Sequence, residues 1–344
     1  MASKYSSCPS SSRLTAGFPA ETQHLLEAAF CQATWRKHEE VFNCFKKFED
    51  SSLSHTHWPI PINVLYSFTT WACNIKKLKS STVESYLSSL KTIHSLRLLD
   101  CAAFDNFVLK SILRGKENLE IYSLEGKPSR KVMNLHTLKL LGHEIAISNW
   151  EENSKQTVWS AFTLAFFGSF RMGEILSQSE SSFSPSDTLL WEDVKFISSS
   201  HVLIHIKTPI SRLPLGEFVD IFSFPGHGVC PVSALSALKE SLVSPSSTSP
   251  VFQFRTGLLL TRRTVNSMIP QLLHKHLGQA ASELSGHSFR AGIPAVLACH
   301  PDVASSSDIM GWGRWKSEAY LFYTRLKHEQ KRKTFQKIAN ILNL

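Results

Sequence analysis

The sequence predicts a mainly α-helical protein of two domains, with a small antiparallel β-sheet in the second domain. The chain has 344 residues, which is more than one ordinary hydrophobic core organises. Most apolar residues recur at helical spacing, whereas residues 196–209 and 217–224 alternate between apolar and polar, as half-buried strands do. Between the two halves, residues 116–134 are dominated by Gly, Pro and charge, which indicates an interdomain linker.

The N-terminal half begins with a polar, Ser-rich stretch over residues 1–18, which predicts a disordered tail. Residues 19–115 are expected to form one compact helical domain. Helices are predicted over residues 21–50, 62–73, 81–96 and 104–113, and the third opens with S-T-V-E, a capping-box pattern. Four lysines are candidates for a DNA-binding face, with ordinary solvated lysines as the alternative: Lys76, Lys77, Lys79 and Lys91.

The C-terminal half, residues 135–344, is expected to be the larger domain. Helices resume near Leu135, and the apolar run over residues 157–170 suits a buried helix. That run is shorter than the about 20 residues that a bilayer-spanning helix needs. The two alternating segments are interpreted as strands of one small antiparallel sheet.

The charge balance and the cysteines limit the partners and the compartment. Lys and Arg outnumber Asp and Glu by 37 to 28, and a basic chain favours an anionic partner, of which nucleic acid is the commonest large one. The seven cysteines are scattered without a CxxC pair, which argues against a disulfide framework or a zinc ribbon. Since the N-terminus has no apolar signal core, we expect a soluble intracellular protein without a membrane partner.

Three charged residues in the C-terminal half are candidates for a site. Arg171 follows the apolar run, where a charged side chain costs free energy unless it is paired or binds a ligand. Glu174 is three residues further on, so it can orient the guanidinium, and a structural ion pair is the alternative. Lys207 ends an alternating segment; it is either a solvent-facing lysine or one that reaches a leaving group.

The stretch L-S-G-H-S-F-R-A-G places His287 and Arg290 one helical turn apart, near a predicted helix N-terminus. Free N–H groups at a helix start attract anions, so the pattern indicates a phosphate site. The alternative is a core histidine followed by a surface arginine. Further on, residues 310–326 hold two Trp and two Tyr, which on their own are typical of a packed helix.

Taken in order, these elements form a known pattern: R-x-G-E, a strand lysine, H-x-x-R, G-R-W and Y-T-R. The pattern resembles the tyrosine recombinase (phage integrase) family, and within it the eukaryotic transposon branch of Crypton, Ngaro and DIRS-like elements. Two further stretches agree with that branch, C-P-V-S-A-L over residues 230–235 and V-F-Q-F-R-T-G-L-L-L-T-R over residues 251–262. The resemblance covers residues 135–326 and extends more loosely to the N-terminal half, which resembles the family's core-binding domain.

The resemblance implies a role for each matching position. The residues on the family's catalytic positions are Arg171, Lys207, His287, Arg290, Trp315 and Tyr323. Glu174 matches the acidic position that supports the first arginine. Trp312 is the rival of Trp315 for the position that precedes the nucleophile, and Tyr320 is the rival nucleophile. Tyr323 is preferred because it matches the family's final Y-x-R.

The residue types fit cleavage and rejoining of DNA. The arginines and His287 would stabilise the charge that develops on a phosphodiester under attack by the Tyr323 phenol oxygen. A phenol is mostly protonated at neutral pH, and His287 is a candidate base for it. Lys207 would protonate the leaving 5′ oxygen, and a 3′-phosphotyrosyl ester would result. Because one phosphodiester replaces another, no cofactor, ATP or metal is expected, and the sequence has no P-loop and no two-metal Asp/Glu cluster.

The resemblance also implies the partners. Double-stranded DNA would be held by its phosphates between the two domains. A homo-oligomer from dimer to tetramer is expected on DNA, through a C-terminal helix over the segment that ends the chain, with docking of that helix within its own subunit as the alternative. The expected localisation is the nucleus.

Two departures from the family pattern stand beside three alternative functions. Pro294 follows Arg290 in a stretch that the family makes helical, so a kink is expected there, and S-S-S-D over residues 305–308 is unusual. The alternatives are a type IB topoisomerase, a domesticated DNA-binding protein with weak or no catalysis, and a metal site built on His201 and His205. The last is disfavoured because no carboxylate or Cys lies near them in sequence.

Overall fold

A computed structural model describes residues 15, 18–52, 56–122, 131–207, 216–224, 228–242, 245–300 and 303–315. The chain divides into two compact units, Met1–Lys127 and Pro128–Leu344. This division falls inside the predicted linker. The candidate nucleophiles Tyr323 and Tyr320, the expected C-terminal helix and nearly all of the predicted N-terminal tail lie outside the described residues.

The first unit is all helical. Its helices are α1 (Ala20–Ala29), α2 (Gln32–Ser52), α3 (Ile62–Asn74), α4 (Ser80–Leu96) and α5 (Phe107–Tyr122), with a 3-10 turn at Ala102–Asp105. An aromatic core holds it together, in which Phe45, Phe48 and Phe68 contact one another edge-on or tilted. Aromatic side chains bury large apolar areas, so a few of them suffice for a small domain.

Three boundaries in this unit differ from the predictions. The predicted helix over residues 21–50 is two helices, because the chain turns at Phe30 and packs that ring edge-on against Trp35. The S-T-V-E capping box does not form; α4 begins at Ser80, whose N–H donates to Glu120 at 2.9 Å. The same contact stabilises the last turn of α5, which therefore continues through residues 116–122 of the predicted linker.

The four lysines assigned to a DNA-binding face lie around α4. Lys76, Lys77 and Lys79 are exposed in the turn that precedes the helix. Lys91 forms an ion pair of 2.6 Å with Asp105, so this lysine already has a partner within the unit.

The second unit combines helices with one sheet. Its helices are α6 (Leu135–Ile147), α7 (Glu152–Phe167), α8 (Met172–Ile175), α9 (Pro231–Ser241), α10 (Arg262–Leu277), α11 (Gly286–Arg290), α12 (Gly292–Ala298) and α13 (Ser306–Gly313). The apolar run predicted to be a buried helix is α7, and its residues from Ala161 to Phe167 are all buried. A helix that is apolar on every side belongs in the centre of a domain, and α7 takes that place.

The sheet has three antiparallel strands in the order β1 (Val194–Ser198), β2 (His201–Ile206) and β3 (Glu217–Phe222). Val202, Ile204 and Ile206 of β2 face the core. The antiparallel sheet is therefore as predicted, but the segment over residues 196–209 is not one strand. Its Ser-rich centre turns the chain between β1 and β2, since serine favours turns over strands.

The two departures from the family pattern have local explanations. Helix α11 ends before Ala291, so Pro294 falls in the first turn of α12, where its missing N–H would have no helical acceptor. The expected kink of a continuous helix is thus a break between two short helices. The S-S-S-D stretch starts α13: Ser305 caps the helix with Asp308, whose carboxylate accepts from the Ser305 N–H at 2.8 Å.

Other structural findings concern metals, cysteines and membranes. Carboxylates do lie next to both histidines of the disfavoured metal site, since His201 is 2.8 Å from Asp220 and His205 is 3.4 Å from Asp193. Still, the described residues contain no group of three or more potential metal ligands.

The six described cysteines are all free thiols. Within the described part of the chain, no helix has the length and apolar character that a membrane span requires.

Candidate phosphate site

A buried carboxylate, Glu174, lies at the centre of the candidate site. It belongs to α8, which begins directly after the turn that ends α7. Its Oε2 accepts a hydrogen bond from the Arg171 backbone N–H at 2.9 Å, and its Oε1 accepts one from Arg171 Nη1 at 3.0 Å. The short R-M-G-E sequence therefore folds so that the glutamate fixes both the backbone and the side chain of the arginine.

Two more arginines, distant in sequence, converge on the same carboxylate. Arg290 at the end of α11 places Nη1 3.9 Å from Glu174, and Arg314 at the end of α13 donates to Glu174 through Nη2 at 2.8 Å. The carbonyl oxygen of Ser169, in the turn between α7 and α8, accepts from both of them, at 2.8 Å and 3.1 Å. The turn and Glu174 together hold three guanidinium groups in one place.

The charges of this cluster do not cancel. Three arginines face Glu174, and a second carboxylate, that of Glu217 in β3, lies 3.6 Å from Arg314. Three positive charges thus stand against two negative ones, so positive charge is in excess. Burial alone raises the pKa of Glu174, but the charges of Arg314 and Arg290 and the Arg171 N–H outweigh it and lower that pKa below its usual value. The carboxylate is therefore ionised at neutral pH.

Arg290 is almost fully buried, with 1% of its surface exposed. Burial, and then the neighbouring charge of Arg171, lower its pKa to about 10, so it remains a cation at neutral pH. Nη1 and Nη2 donate to the carbonyl oxygens of Ser169 and Gly313, at 2.8 Å and 2.6 Å. Its buried Nε has no hydrogen-bond partner among the described residues, which leaves a donor for a further acceptor.

The accessible member of the cluster is Arg171, whose side chain is 30% exposed. One of its five N–H donors is used by Glu174, and a guanidinium offers the rest in a planar fork that suits two oxygens of one anion. The arrangement can therefore bind an oxyanion, with Arg171 as the contact from solvent and the buried arginines as fixed positive charge behind it.

His287 and Arg290 differ in environment. The sequence predicted that both project from one helical face, but His287 is exposed while Arg290 is buried. Helix α11 is only five residues long, and Phe289 anchors it by packing against Phe162 of α7, with ring centres 5.0 Å apart. The packing of Phe289 accompanies the burial of Arg290, whereas His287, three residues earlier, remains exposed.

Lys207 directly follows β2 and is held by acidic groups of the same unit. Its Nζ lies 2.7 Å from Asp193 and 3.6 Å from Glu192, and it donates to the carbonyl oxygen of Pro185 at 2.8 Å. None of these contacts of Lys207 is with an arginine of the cluster. The strands connect the two places, because Ile206 pairs with Glu217, the residue that faces Arg314.

The two tryptophans have distinct contacts. Trp315 lies beside Arg290, with the guanidinium carbon 5.6 Å from its ring centre. Trp312 donates from Nε1 to the carbonyl oxygen of Phe167 at 3.1 Å, at the end of α7. The geometry brings Trp315 to the cluster and gives Trp312 a role in fixing α13.

Sequence reasoning missed three residues of this region: Arg314, Glu217 and Asp193. Arg314 lies within the quoted G-R-W, yet adjacency to a tryptophan gives no sign that its side chain turns toward Glu174. Glu217 and Asp193 are acidic residues at strand ends, where solvent exposure is the ordinary expectation. These residues can be assigned to the site only from the three-dimensional structure.

Comparisons with known proteins define the fold. No family model matches the chain, and no curated protein matches it. Among solved structures, a XerH site-specific recombinase in a post-cleavage complex with a palindromic difH substrate is similar, with a TM-score of 0.58, 13% identity, and coverage of 96% of this chain and 85% of that chain. The Tn1549 transposon integrase in complex with circular intermediate DNA gives a TM-score of 0.54, 14% identity, and coverage of 96% and 99%.

Lambda integrase bound to DNA is also similar, with a TM-score of 0.53, 11% identity, and coverage of 93% of this chain and 97% of that chain. At such identities the likeness concerns the fold. The chain thus has the fold of the tyrosine recombinases and integrases, mainly helical with a small antiparallel sheet.

Proposed function

We propose that the chain is a site-specific DNA recombinase that cleaves and rejoins DNA through a covalent 3′-phosphotyrosine at Tyr323, without metal or ATP. The observation that carries the proposal is the convergence of Arg171, Arg290 and Arg314 on Glu174, in a fold shared with DNA recombinases and integrases. A site with excess positive charge and one accessible guanidinium suits an anion with several oxygens, and a DNA phosphodiester is such an anion.

The reaction assigns one task to each side chain. Arg171 donates to the non-bridging oxygens of the scissile phosphate, and the buried cation of Arg290 stabilises the charge that develops in attack. The phenol oxygen of Tyr323 forms the new bond to phosphorus, while its proton leaves to a base, for which the exposed His287 is the candidate. The bond from phosphorus to the 5′ oxygen breaks, and Lys207 gives that oxygen a proton.

Trp315 would lie against one side of the candidate phosphate site. Its contact with Arg290 supports it over Trp312 at the position that precedes the nucleophile, since Trp312 is engaged with the end of α7. Apolar contact beside a guanidinium keeps water away and strengthens its electrostatic effect on the reacting phosphate.

The finer assignments belong to the same proposal. Double-stranded DNA is the proposed substrate, and the exposed Lys76, Lys77 and Lys79 are proposed to contact its phosphates. A homo-oligomer on DNA is proposed by analogy with lambda integrase, one structure of which is a dimer bound to a core site. The eukaryotic transposon branch, the nucleus and a C-terminal helix exchanged between subunits rest on the sequence resemblance.

A non-catalytic DNA-binding function is the second candidate, favoured by one observation. Arg290 is buried and uses both of its terminal nitrogens on carbonyl oxygens, so only a small part of it is left for a phosphate. In this alternative the cluster is a structural ion-pair network, and the protein binds DNA without cutting it.

A nicked suicide duplex, which loses its short leaving strand on cleavage, tests the proposal. We expect a protein–DNA adduct that survives denaturation and that disappears in Tyr323→Phe. Loss of the adduct in Tyr320→Phe instead would move the nucleophile to that residue. DNA binding without an adduct would support the non-catalytic function, and an adduct without strand exchange between duplexes would indicate a type IB topoisomerase.

A further inference from the structure

The side chain of Arg314 is tied to the candidate site from several directions. Nη2 donates to Glu174 Oε2 at 2.8 Å and to the Ser169 carbonyl oxygen at 3.1 Å, while Nη1 lies 3.6 Å from Glu217 Oε2. Its guanidinium carbon is 4.8 Å from the ring centre of Phe170. One arginine thus connects the turn after α7, helix α8 and strand β3.

The backbone of Arg314 adopts an unusual conformation for this contact. It ends α13 with φ 53 and ψ 45, in the left-handed region. That conformation costs a non-glycine residue about 1 kcal/mol, and glycine is the usual occupant of such a helix end. Here a glycine, Gly313, stands one position earlier instead. The contacts of the arginine side chain with Glu174, Glu217 and Ser169 offset this backbone cost.

Arg314 does not offer its charge to solvent. Its side chain is 9% exposed, against 30% for Arg171, and its terminal nitrogens face two carboxylates and a carbonyl. A phosphate that approaches from solvent would therefore meet Arg171 before Arg314. Any effect of Arg314 on a reaction has to act through the groups it holds.

The end of α13 is fixed to the site by two further contacts. Arg290 Nη2 donates to the Gly313 carbonyl oxygen at 2.6 Å, and Trp312 Nε1 donates to the Phe167 carbonyl oxygen at 3.1 Å. The segment that carries Tyr323 follows α13 along the chain. The end of α13 is consequently anchored to Arg290 and to the end of α7.

We propose that Arg314 is a positioning residue, which holds the end of α13 and the guanidinium of Arg171 in place at the candidate phosphate site through Glu174 and Glu217. The inference rests on the proposed function, because it assumes that Tyr323 is the nucleophile and a DNA phosphodiester the substrate. By holding Glu174, Arg314 sets the place of Arg171, the residue that would contact the phosphate.

The substitution Arg314→Lys tests this proposal when DNA binding and the rate of the chemical step are measured separately. A lysine keeps the charge but has one nitrogen, which does not reach Glu174, Glu217 and the Ser169 carbonyl oxygen together. We expect the single-turnover rate of adduct formation on the suicide duplex to fall on the order of 10- to 100-fold, as misplaced reacting groups do. The Kd for the same duplex, measured in a Tyr323→Phe background, is expected to change less than about 3-fold, because a buried arginine makes no phosphate contact.

A matched control is Arg255→Lys, an exposed arginine of the same unit, for which both quantities should stay as in the wild type. Glu217→Gln provides a second variant that keeps Arg314 and weakens one of its contacts; a slower adduct rate at unchanged Kd is expected there too. If Arg314→Lys does not fold, the Glu217→Gln result decides.

Three results would overturn the inference while the proposed function stands. These are an unchanged adduct rate, a Kd that weakens by the same factor as the rate, and a lower melting temperature with a normal rate for the folded fraction. A wild-type protein without any Tyr323-dependent adduct would instead refute the proposed function itself.

Discussion

The ammonium nitrogen of Lys207 lies 2.7 Å from a carboxylate oxygen of Asp193, a residue with 4% of its surface exposed. The Pro185 carbonyl oxygen and Glu192 surround the same nitrogen. Two of the three donors of the lysine are therefore engaged by protein oxygens, so the proposed reaction requires Lys207 to turn toward the leaving 5′ oxygen of DNA before it donates a proton.

This relationship predicts a dependence on the leaving group. Lys207→Ala should slow adduct formation on an ordinary duplex on the order of 100-fold or more, the usual contribution of a general acid. On a duplex whose scissile 5′ oxygen is replaced by sulfur the loss should nearly vanish, because a thiolate leaves without a proton. Lys195→Ala, on an exposed position of β1, is the control and should be normal on both duplexes. Equal losses on the two substrates would remove Lys207 from the acid role.

Glu174 should stabilise the second unit as well as organise it. Glu174→Gln leaves three arginines without their central anion, and loss of one partner of a buried ion pair costs about 3–5 kcal/mol. Chemical denaturation of the two proteins at pH 7 measures the difference.

The same pair of proteins predicts a pH dependence. Because the pKa of Glu174 is lowered in the folded state, its contribution is fully present above the unfolded value of about 4.3 and is lost as the pH falls through the folded pKa. The stability difference between wild type and Glu174→Gln should hold from pH 7 to pH 5 and shrink below pH 4. A difference that shrinks already between pH 7 and pH 6 would contradict this account.

Two buried histidines of the first unit should respond oppositely to substitution. His94 is fully buried; its Nε2 accepts from the Ile60 N–H at 3.0 Å, and Nδ1 bonds the Leu90 carbonyl oxygen at 2.9 Å. His38 is also buried, but neither ring nitrogen has a hydrogen-bond partner among the described residues. His94→Phe should cost about 1–3 kcal/mol because it leaves a buried N–H unpaired, whereas His38→Phe should be neutral or stabilising.

Acid should weaken this unit through both histidines. Burial lowers the pKa of His38, with Lys37 adding to the effect, and burial lowers the pKa of His94 against the opposing hydrogen bond to Leu90. A histidine with a lowered folded pKa binds more protons when unfolded, so stability is lost as the pH falls below about 6.5. Melting curves between pH 7.5 and pH 5 should show a shallower decline for His38→Phe, and an identical decline would refute the assignment.

Substitutions of the two tryptophans next to the cluster should have different effects, one on the rate of adduct formation and the other on stability. Trp315→Phe should lower the adduct rate, since the larger ring beside Arg290 is lost. Trp312→Phe should cost about 1 kcal/mol of stability through the lost bond to the Phe167 carbonyl oxygen, with a normal rate for the folded protein. The opposite assignment of effects would make Trp312 the active-site residue.

The sequence was sufficient where a pattern is local. The apolar run predicted α7, alternation predicted an antiparallel sheet, and R-M-G-E predicted the pair of Arg171 and Glu174, which are one helical turn apart. It failed where tertiary contacts override local signals. Glu120 extends α5 into the first part of the predicted linker by bonding to Ser80, and three serines divide the first predicted strand.

The residues that make up the site were predictable only in part, because tertiary contacts decide which of them come together. Motif order identified Arg171 and Arg290, and the structure brings both to Glu174. Periodicity alone gave no sign that Arg290 would be buried while His287 is exposed, because that depends on how Phe289 packs on α7. Arg314 joins the cluster from a left-handed residue at the end of α13, a conformation that no spacing rule predicts.

The central claim, that Arg171 binds the scissile phosphodiester with the buried arginines around Glu174 as fixed charge behind it, is tested most directly by removing the charge of that phosphate. A duplex with a methylphosphonate at the cleavage position lacks one charged oxygen. Arg171→Ala should lose on the order of 100-fold or more in adduct rate on the ordinary duplex and less than about 10-fold on the methylphosphonate, since the lost contact then has less charge to stabilise. Arg255→Ala should behave as the wild type on both. Equal losses for Arg171→Ala on the charged and the neutral substrate would show that the cluster does not contact the reacting phosphate.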